Sequence, residues 1–287
     1  TCPVCQKWKR QRKKYGHLPA KEAEADPWQQ VHVDMMGPLS VRDATGESKS
    51  FLVFTAIDPA TGWFECVPVP NKESATVSDA FNNNWLCRYP RPRMIRFDNG
   101  TEFKSVFEEM CDNCEMDKKA TTTYNPRSNG IIERIHQVLR DNVATFELSE
   151  QVLPETNPFD SFCAAASWAI RSSFHSTLKA TPGQLVFGRD MLLDLKFKAD
   201  WAGIKLRKQA LINKGVIREN KNRIPHNYTV GSKVLYTRPG IIPKMDQPRT
   251  GPWEVKQVFP KSGTVSIQRR AVSDKVNIRN ISPFFER

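Results

Sequence analysis

The chain has 287 residues, with 43 Lys and Arg against 31 Asp and Glu, so it carries a formal charge of +12 and enough length for two or three domains. It contains no apolar run long enough to span a bilayer, which sets aside a membrane-spanning class. Seven cysteines without a signal-peptide pattern fit a reducing compartment better than a disulfide framework. The charge is unevenly placed: +5 over residues 1–25, −7 over 26–195 and +14 over 196–287. A basic tail of that size supplies phosphate contacts, and an acidic middle is tolerable beside nucleic acid where cations neutralise it.

The chain opens on a Cys-x-x-Cys pair, Cys2 and Cys5, followed by a basic run, Lys7, Lys9, Arg10, Arg12, Lys13 and Lys14. Two cysteines are half of a structural zinc site, and the residues after His17 that would complete a finger are Ala20, Lys21 and Glu22. Cys111 and Cys114 form a second such pair, but more than 100 residues separate it from the first, and burial as thiols is the simpler account. The basic run reads equally as a solvated linker and as a nucleic-acid or nuclear-import segment. An alternating stretch through Val31, Val33 and Met35 predicts a strand with His32 and Asp34 on its other face. An apolar strand over Phe51–Ile57 turns through Asp58–Gly62 into another over Trp63–Val69. Val77, Phe81 and Trp85 then recur at helical spacing, and a short strand, Met94–Phe97, ends at Asp98 before the Asn99-Gly100 turn signal. A helix follows around Glu133, with Ile131, Ile135, Val138, Leu139 and Phe146 on its apolar side and Gln137 and Arg140 opposite. Pro154 and Pro158 interrupt the chain before a further helix over residues 159–174. Residues 196–225 read as a basic helical linker. Short strands at Lys233–Thr237, Trp253–Val258, Thr264–Arg269 and Val276–Ile281 are spaced as in a small β-barrel. The expected class is α/β, a mixed sheet flanked by helices with the barrel appended.

Chemistry concentrates on Asp34, Asp98 and Glu133, each in a distinctive local setting. Carboxylates of this kind suit a two-metal phosphoryl-transfer site, because Mg²⁺ and Mn²⁺ prefer anionic oxygen to His or Cys. Other acidic residues have simpler accounts. Asp58 sits where Asp bonds its own turn, Glu65 fits a solvated strand face, and Glu102 fits a cap or an exposed position. His32 reads first as a buried hydrogen-bonding residue and second as support for Asp34. Asn99-Gly100-Thr101 and Asn129-Gly130 lack any Walker or dinucleotide pattern, and no Ser-His-Asp or Cys-His arrangement stands out.

The segments Val31-His32-Val33-Asp34-Met35-Met36-Gly37-Pro38, Phe97-Asp98-Asn99-Gly100-Thr101-Glu102-Phe103 and Ser128-Asn129-Gly130-Ile131-Ile132-Glu133-Arg134 resemble the Asp, Asp, Glu signature of retroviral and retrotransposon integrases. Tyr124-Asn125-Pro126 before the third segment and His136-Gln137 after it are similar too, as is Thr181-Pro182-Gly183-Gln184-Leu185-Val186-Phe187-Gly188-Arg189 at the core's end. Gly251-Pro252-Trp253 resembles the Gly-Pro-Phe/Tyr module of gypsy-type elements, with Trp in the aromatic place. There are two departures. Only 34 residues separate Asp98 from Glu133, one fewer than the family's usual spacing, and the shortfall falls between Phe103 and Thr121. Of the family's His-His-Cys-Cys zinc module only Cys2 and Cys5 are present, so zinc binding requires upstream ligands, and the start at Thr1 fits a polyprotein product or fragment.

The resemblance implies a ribonuclease-H-like core over residues 27–195, preceded by the end of a zinc module with its linker over 1–26. A helical linker over 196–225 and a small DNA-binding β-barrel over 226–287 follow. It implies an integrase that trims the 3′ ends of element DNA and joins them to target DNA, with Asp34, Asp98 and Glu133 binding two Mg²⁺ or Mn²⁺ ions. Thr101, Tyr124, Gln137 and Arg140 then take the places of DNA-contacting residues. The implied partners are double-stranded DNA and further copies of the chain, with room for a host tethering factor and no membrane, and the implied location is the nucleus. The rival readings are a domesticated, non-catalytic DNA-binding protein and a transposase with the same triad.

Overall fold

The computed structural model describes residues 2–9, 13–42, 47–120, 130–148, 158–237 and 246–286. Among them, no helix is long and apolar enough to cross a membrane. A short helix, α1 (Pro3–Trp8), and a two-residue strand, β1 (Lys14–Tyr15), precede the main sheet. That sheet comprises β2 (Gln30–Arg42), β3 (Ser48–Ile57), β4 (Phe64–Val69), β5 (Met94–Phe97) and β6 (Asp117–Ala120), ordered β4-β3-β2-β5-β6. The first three form an antiparallel meander, and β5 and β6 add in parallel, giving the expected mixed sheet. Helices α2 (Ser74–Phe81), α3 (Val106–Asn113), α4 (Gly130–Leu148), α5 (Pro158–Ser172) and α6 (Pro182–Phe187) complete this unit with the first turns of α7 (Trp201–Asn220).

Strand alternation divides the core in two. Val31, Val33, Phe54, Ile95 and Phe97 join Val77, Phe81, Trp85 and Phe107 in one cluster. Phe51, Val53, Ile57, Phe64 and Cys66 join Ile132, Leu139, Phe162 and Cys163 in the other. The first cluster contains the Val77, Phe81 and Trp85 stripe read from sequence. Lys208, at the end of this unit, is half-buried, with its ammonium donating to the carbonyls of Glu24, Pro59 and Ala60 at 3.0, 2.7 and 2.8 Å. Burial brings that ammonium's pKa down to about 8.

Pairing of β2 with β3 slips between Met36 and Leu39, where Gly37 adopts φ +115°. A Cβ there would lie 2.9 Å from the Phe51 carbonyl oxygen, so only glycine fits this bulge. Gly37→Ala should therefore lower stability by about 2 kcal/mol in urea unfolding, from both backbone strain and the clash. An unchanged midpoint would show that the bulge relaxes freely.

The second unit is built mainly from Thr1–Ala23 and Gln209–Arg287. Its sheet holds β8 (Lys233–Thr237), β9 (Arg249–Phe259), β10 (Thr264–Arg269), β11 (Val272–Asn277) and β12 (Ile281–Pro283), all antiparallel, in the order β11-β10-β9-β8-β12. The small C-terminal β unit is present as this five-stranded sheet, and among the described residues β11 and β12 are its two edge strands, with no pairing between them. The apparent single strand Val276–Ile281 is broken by a 3₁₀ turn over Ile278–Asn280, whose start is fixed by Asn277 Oδ1 accepting the Arg279 N–H at 3.0 Å. Residues before that turn pair with β10, and residues after it pair with β8.

Residues near both chain ends interlock in this unit. Gln6 exchanges two hydrogen bonds with the Phe285 backbone, and β1 pairs in parallel with β7 (Arg223–Ile224). The Arg223 guanidinium donates to the carbonyls of Gly16 and Tyr15. Leu18 and Tyr228 pack with Val234, Val255, Val265 and Ile267 in its core.

Candidate active site

Asp34 lies in the middle of β2, opposite Thr55 on β3. Its Oδ1 accepts the Met35 N–H at 2.8 Å, and its backbone carbonyl accepts the Thr55 hydroxyl at 2.9 Å. Asp98 directly follows β5, where its Oδ1 accepts the Gly100 N–H at 2.8 Å and so shapes the Asn-Gly turn. A Cβ at Gly100 would meet the Glu102 carboxylate, its nearest oxygen at 2.4 Å, so Glu102 folds back over this turn. Glu133 stands in the first turn of α4, where an acidic side chain suits the helix dipole.

Electrostatics ties the three segments together. Burial pushes the Asp34 carboxyl up to about 7 against the pull of the Met35 N–H, and repulsion from Asp98, Glu102 and Glu133 adds to the rise. Desolvation raises the Glu133 carboxyl too. The described residues contain no group of three His, Cys, Asp or Glu side chains already gathered at metal-ligand spacing. An all-oxygen anionic set that resists its own ionisation fits Mg²⁺ or Mn²⁺, whose charge would remove the repulsion.

His136, one helical turn beyond Glu133, is buried against Asp34 and Thr55. Its Nε2 lies 2.9 Å from Thr55 Oγ1, and its Nδ1 lies 3.8 Å from Asp34 Oδ2. Burial, with the Arg140 charge nearby, brings its pKa down to about 4, so the ring is neutral at pH 7 and the Asp34 contact is not an ion pair. Because the single Thr55 hydroxyl proton goes to the Asp34 carbonyl, the His136 ring donates from Nε2 and its bare Nδ1 faces Asp34. Thr55 and His136 therefore join β2, β3 and α4, the elements carrying Asp34 and Glu133.

Other sequence-read residues fall as follows. Gln137 and Arg140 are exposed and linked on one face of α4, Arg140 to Gln137 at 3.3 Å and Gln137 to Asp141 at 2.8 Å. Thr101 is exposed at the start of a 3₁₀ turn after Asp98. Tyr124 lies outside the described residues. Cys2 caps α1 beside Cys5, and the N–H groups of Cys5 and Val4, together with the Cys5 side chain, hold its thiol below the usual range. Cys111 is buried in the core cluster, where desolvation pushes its thiol up to about 12, the state of an inert packing residue. Asp58 accepts N–H groups from Trp28, Ala60 and Thr61, the structural role read for it. Glu65 is not solvated as expected: it is buried with the Tyr89 hydroxyl and the Arg171 guanidinium on its carboxylate, and Arg171 also covers the Trp63 ring at 4.4 Å. Thr55 and His136 were missed as functional residues, although a Thr within an apolar strand and a His three places after Glu133 were both visible signals.

No protein-family model matches the chain. It is 22% identical over 261 residues to the retrovirus-related Pol polyprotein from transposon 412 of Drosophila melanogaster, covering 83% of this chain and 20% of that protein. It is 28% identical over 106 residues to the Gag-Pol polyprotein of avian reticuloendotheliosis virus, covering 37% and 9%. The chain thus spans about a fifth or less of the length of these relatives. Among solved structures, a chain of the simian T-cell lymphotropic virus intasome in complex with PP2A regulatory subunit B56 gamma matches 99% of this chain and 87% of its own length, with a TM-score of 0.67 and 16% identity. The chain thus shares its fold with an intasome chain and its sequence likeness with Pol polyproteins of a transposon and a retrovirus.

Proposed function

We propose that this chain is the integrase portion of a gypsy-type retroelement polyprotein, trimming the 3′ ends of element DNA and joining them to target DNA. The observation carrying this reading is the placement of Asp34 within β2, Asp98 directly after the neighbouring β5 and Glu133 in the first turn of α4, in a fold shared with an intasome chain. Asp34, Asp98 and Glu133 would hold two Mg²⁺ or Mn²⁺ ions, which supply Lewis-acid stabilisation of the attacking and leaving oxygens when bound. The protein's own part is positional. The Met35 N–H fixes Asp34 Oδ1, the Gly100 N–H fixes Asp98 Oδ1, and the Thr55–His136 link holds the Glu133 helix to the strand bearing Asp34. Neutral His136 adds no cation to compete for the carboxylates.

We assign residues 1–26 as the end of a zinc module and its linker, 27–195 as the catalytic core, 196–225 as the linker and 226–287 as the DNA-binding tail. Thr101, Tyr124, Gln137 and Arg140 are the proposed DNA contacts of the core. Zinc would need two ligands beyond Cys2 and Cys5. Assembly as a homo-oligomer on two DNA ends, action in the nucleus and attachment to a host factor belong to the same proposal.

The test is a strand-transfer assay of the full chain with candidate terminal-repeat DNA, with and without Mg²⁺. Joined product that depends on the metal supports the reading. Sequence-tolerant DNA binding without joining would favour a domesticated binding protein. The tail makes a separate expectation. With +14 over residues 196–287, its DNA affinity should fall steeply with salt, and each Lys or Arg phosphate contact removed should lower the logarithmic salt slope by roughly 1. Strong preference for one sequence with little salt dependence would contradict that.

A further inference from the structure

We infer that Glu24 is a positioning residue that holds the Arg96 guanidinium away from the metal-binding carboxylates, an inference that rests on the metal reading of Asp34 and Asp98. His32 and Arg96 are register partners on the parallel strands β2 and β5. They stand two residues before Asp34 and Asp98 respectively, so the four side chains share one sheet face, with about 6.6 Å of strand between each member and the carboxylate above it. His32 and Arg96 are buried. One carboxylate serves both: Glu24 Oε1 lies 2.7 Å from Arg96 Nη2, and Glu24 Oε2 lies 3.3 Å from His32 Nε2. Gln30 Oε1 accepts a further bond from Arg96 Nη2 at 3.3 Å. The Glu24 carboxyl is held below the usual range: burial works against this, and the His32 contact and the Arg96 charge outweigh it.

A buried guanidinium must find an anion. With Glu24 in place, Arg96 spends its charge on a group at the foot of the strands. Without Glu24, Asp98 and Asp34 are the carboxylates that strand alternation sets on the same sheet face, one residue pair further along from Arg96 and His32. A guanidinium seated there would occupy the position of the divalent cation and satisfy the carboxylates with the wrong charge. Glu24 thus keeps the site anionic and open to metal, although it stands outside all three signature segments.

Manganese binding to the full chain without DNA, read from the electron paramagnetic resonance of free Mn²⁺, tests this apart from activity. Glu24→Ala should weaken Mn²⁺ affinity roughly tenfold to hundredfold, the scale seen for groups that support metal ligands. Adding Arg96→Met should return the affinity to within about twofold of wild type, because removing the misplaced cation cancels the defect. Arg96→Met alone should bind Mn²⁺ at least as well as wild type. Merely structural damage would leave the double variant as weak as Glu24→Ala or weaker, and that result overturns the inference, as does wild-type affinity in Glu24→Ala. Failure of the wild-type chain to bind Mn²⁺, with Asp98→Asn indistinguishable from it, would instead overturn the metal reading and the inference with it.

Discussion

Asp34→Asn, Asp98→Asn and Glu133→Gln should each remove end trimming and strand transfer, by on the order of a thousandfold or more, while the circular dichroism spectrum and most DNA affinity stay as in wild type. Each change keeps the shape of the side chain and removes the charge that a divalent cation needs. The fold should survive because none of the three makes an ion pair that the core depends on. Asp34 makes a local bond to Met35, and Asp98 shapes a turn that an Asn also accepts. On the proposed reading phosphate contacts would come largely from the basic tail, so binding and chemistry should separate cleanly. Full strand transfer by any one variant would take that residue out of the catalytic assignment.

A comparably large effect is expected in stability against pH. The folded state lifts the Asp34 carboxyl from its ordinary 3.8 to about 7 and so prefers the neutral acid. That preference contributes stability in full below about pH 4 and loses it progressively as pH rises through 7, a change of up to about 4 kcal/mol. The raised Glu133 carboxyl acts in the same direction. Metal-free protein should therefore unfold at lower urea concentration at pH 8 than at pH 5. Asp34→Asn should flatten this dependence and be the more stable protein at pH 8. Mg²⁺ should restore wild type at pH 8 by replacing the proton as the neutralising partner. Parallel curves for wild type and Asp34→Asn between pH 4 and 8, with no response to Mg²⁺, would show that Asp34 is not in a crowded anionic site.

Much of the core was legible because its strands and helices follow local periodicity. Val31, Val33 and Met35 alternate, Val77, Phe81 and Trp85 repeat at helical spacing, and Asn99-Gly100 punctuates a strand end. The tail was legible as strands and illegible as topology. Val276 to Ile281 has the composition of one strand, and only the Asn277 side chain bonding to Arg279 N–H divides it. Glu65 was misread because alternation gives the face of a strand without saying what covers that face, here Arg171 on α5 and Tyr89. Thr55, His136 and Glu24 were visible as residue types, but their contacts with Asp34, Thr55 and Arg96, respectively 21, 81 and 72 residues away, follow from register and helix placement.

The slip beside Gly37 has a bearing on how such a protein tolerates change. Register on the near side of the slip sets Asp34 opposite Thr55, and pairing resumes beyond it at Leu39 with Phe51. A residue gained or lost toward the far end of the β2–β3 hairpin can be absorbed by re-pairing there, with the bulge as the place where phase is reset. The distal hairpin is thereby free to vary in length and composition while Asp34 keeps its place opposite Thr55.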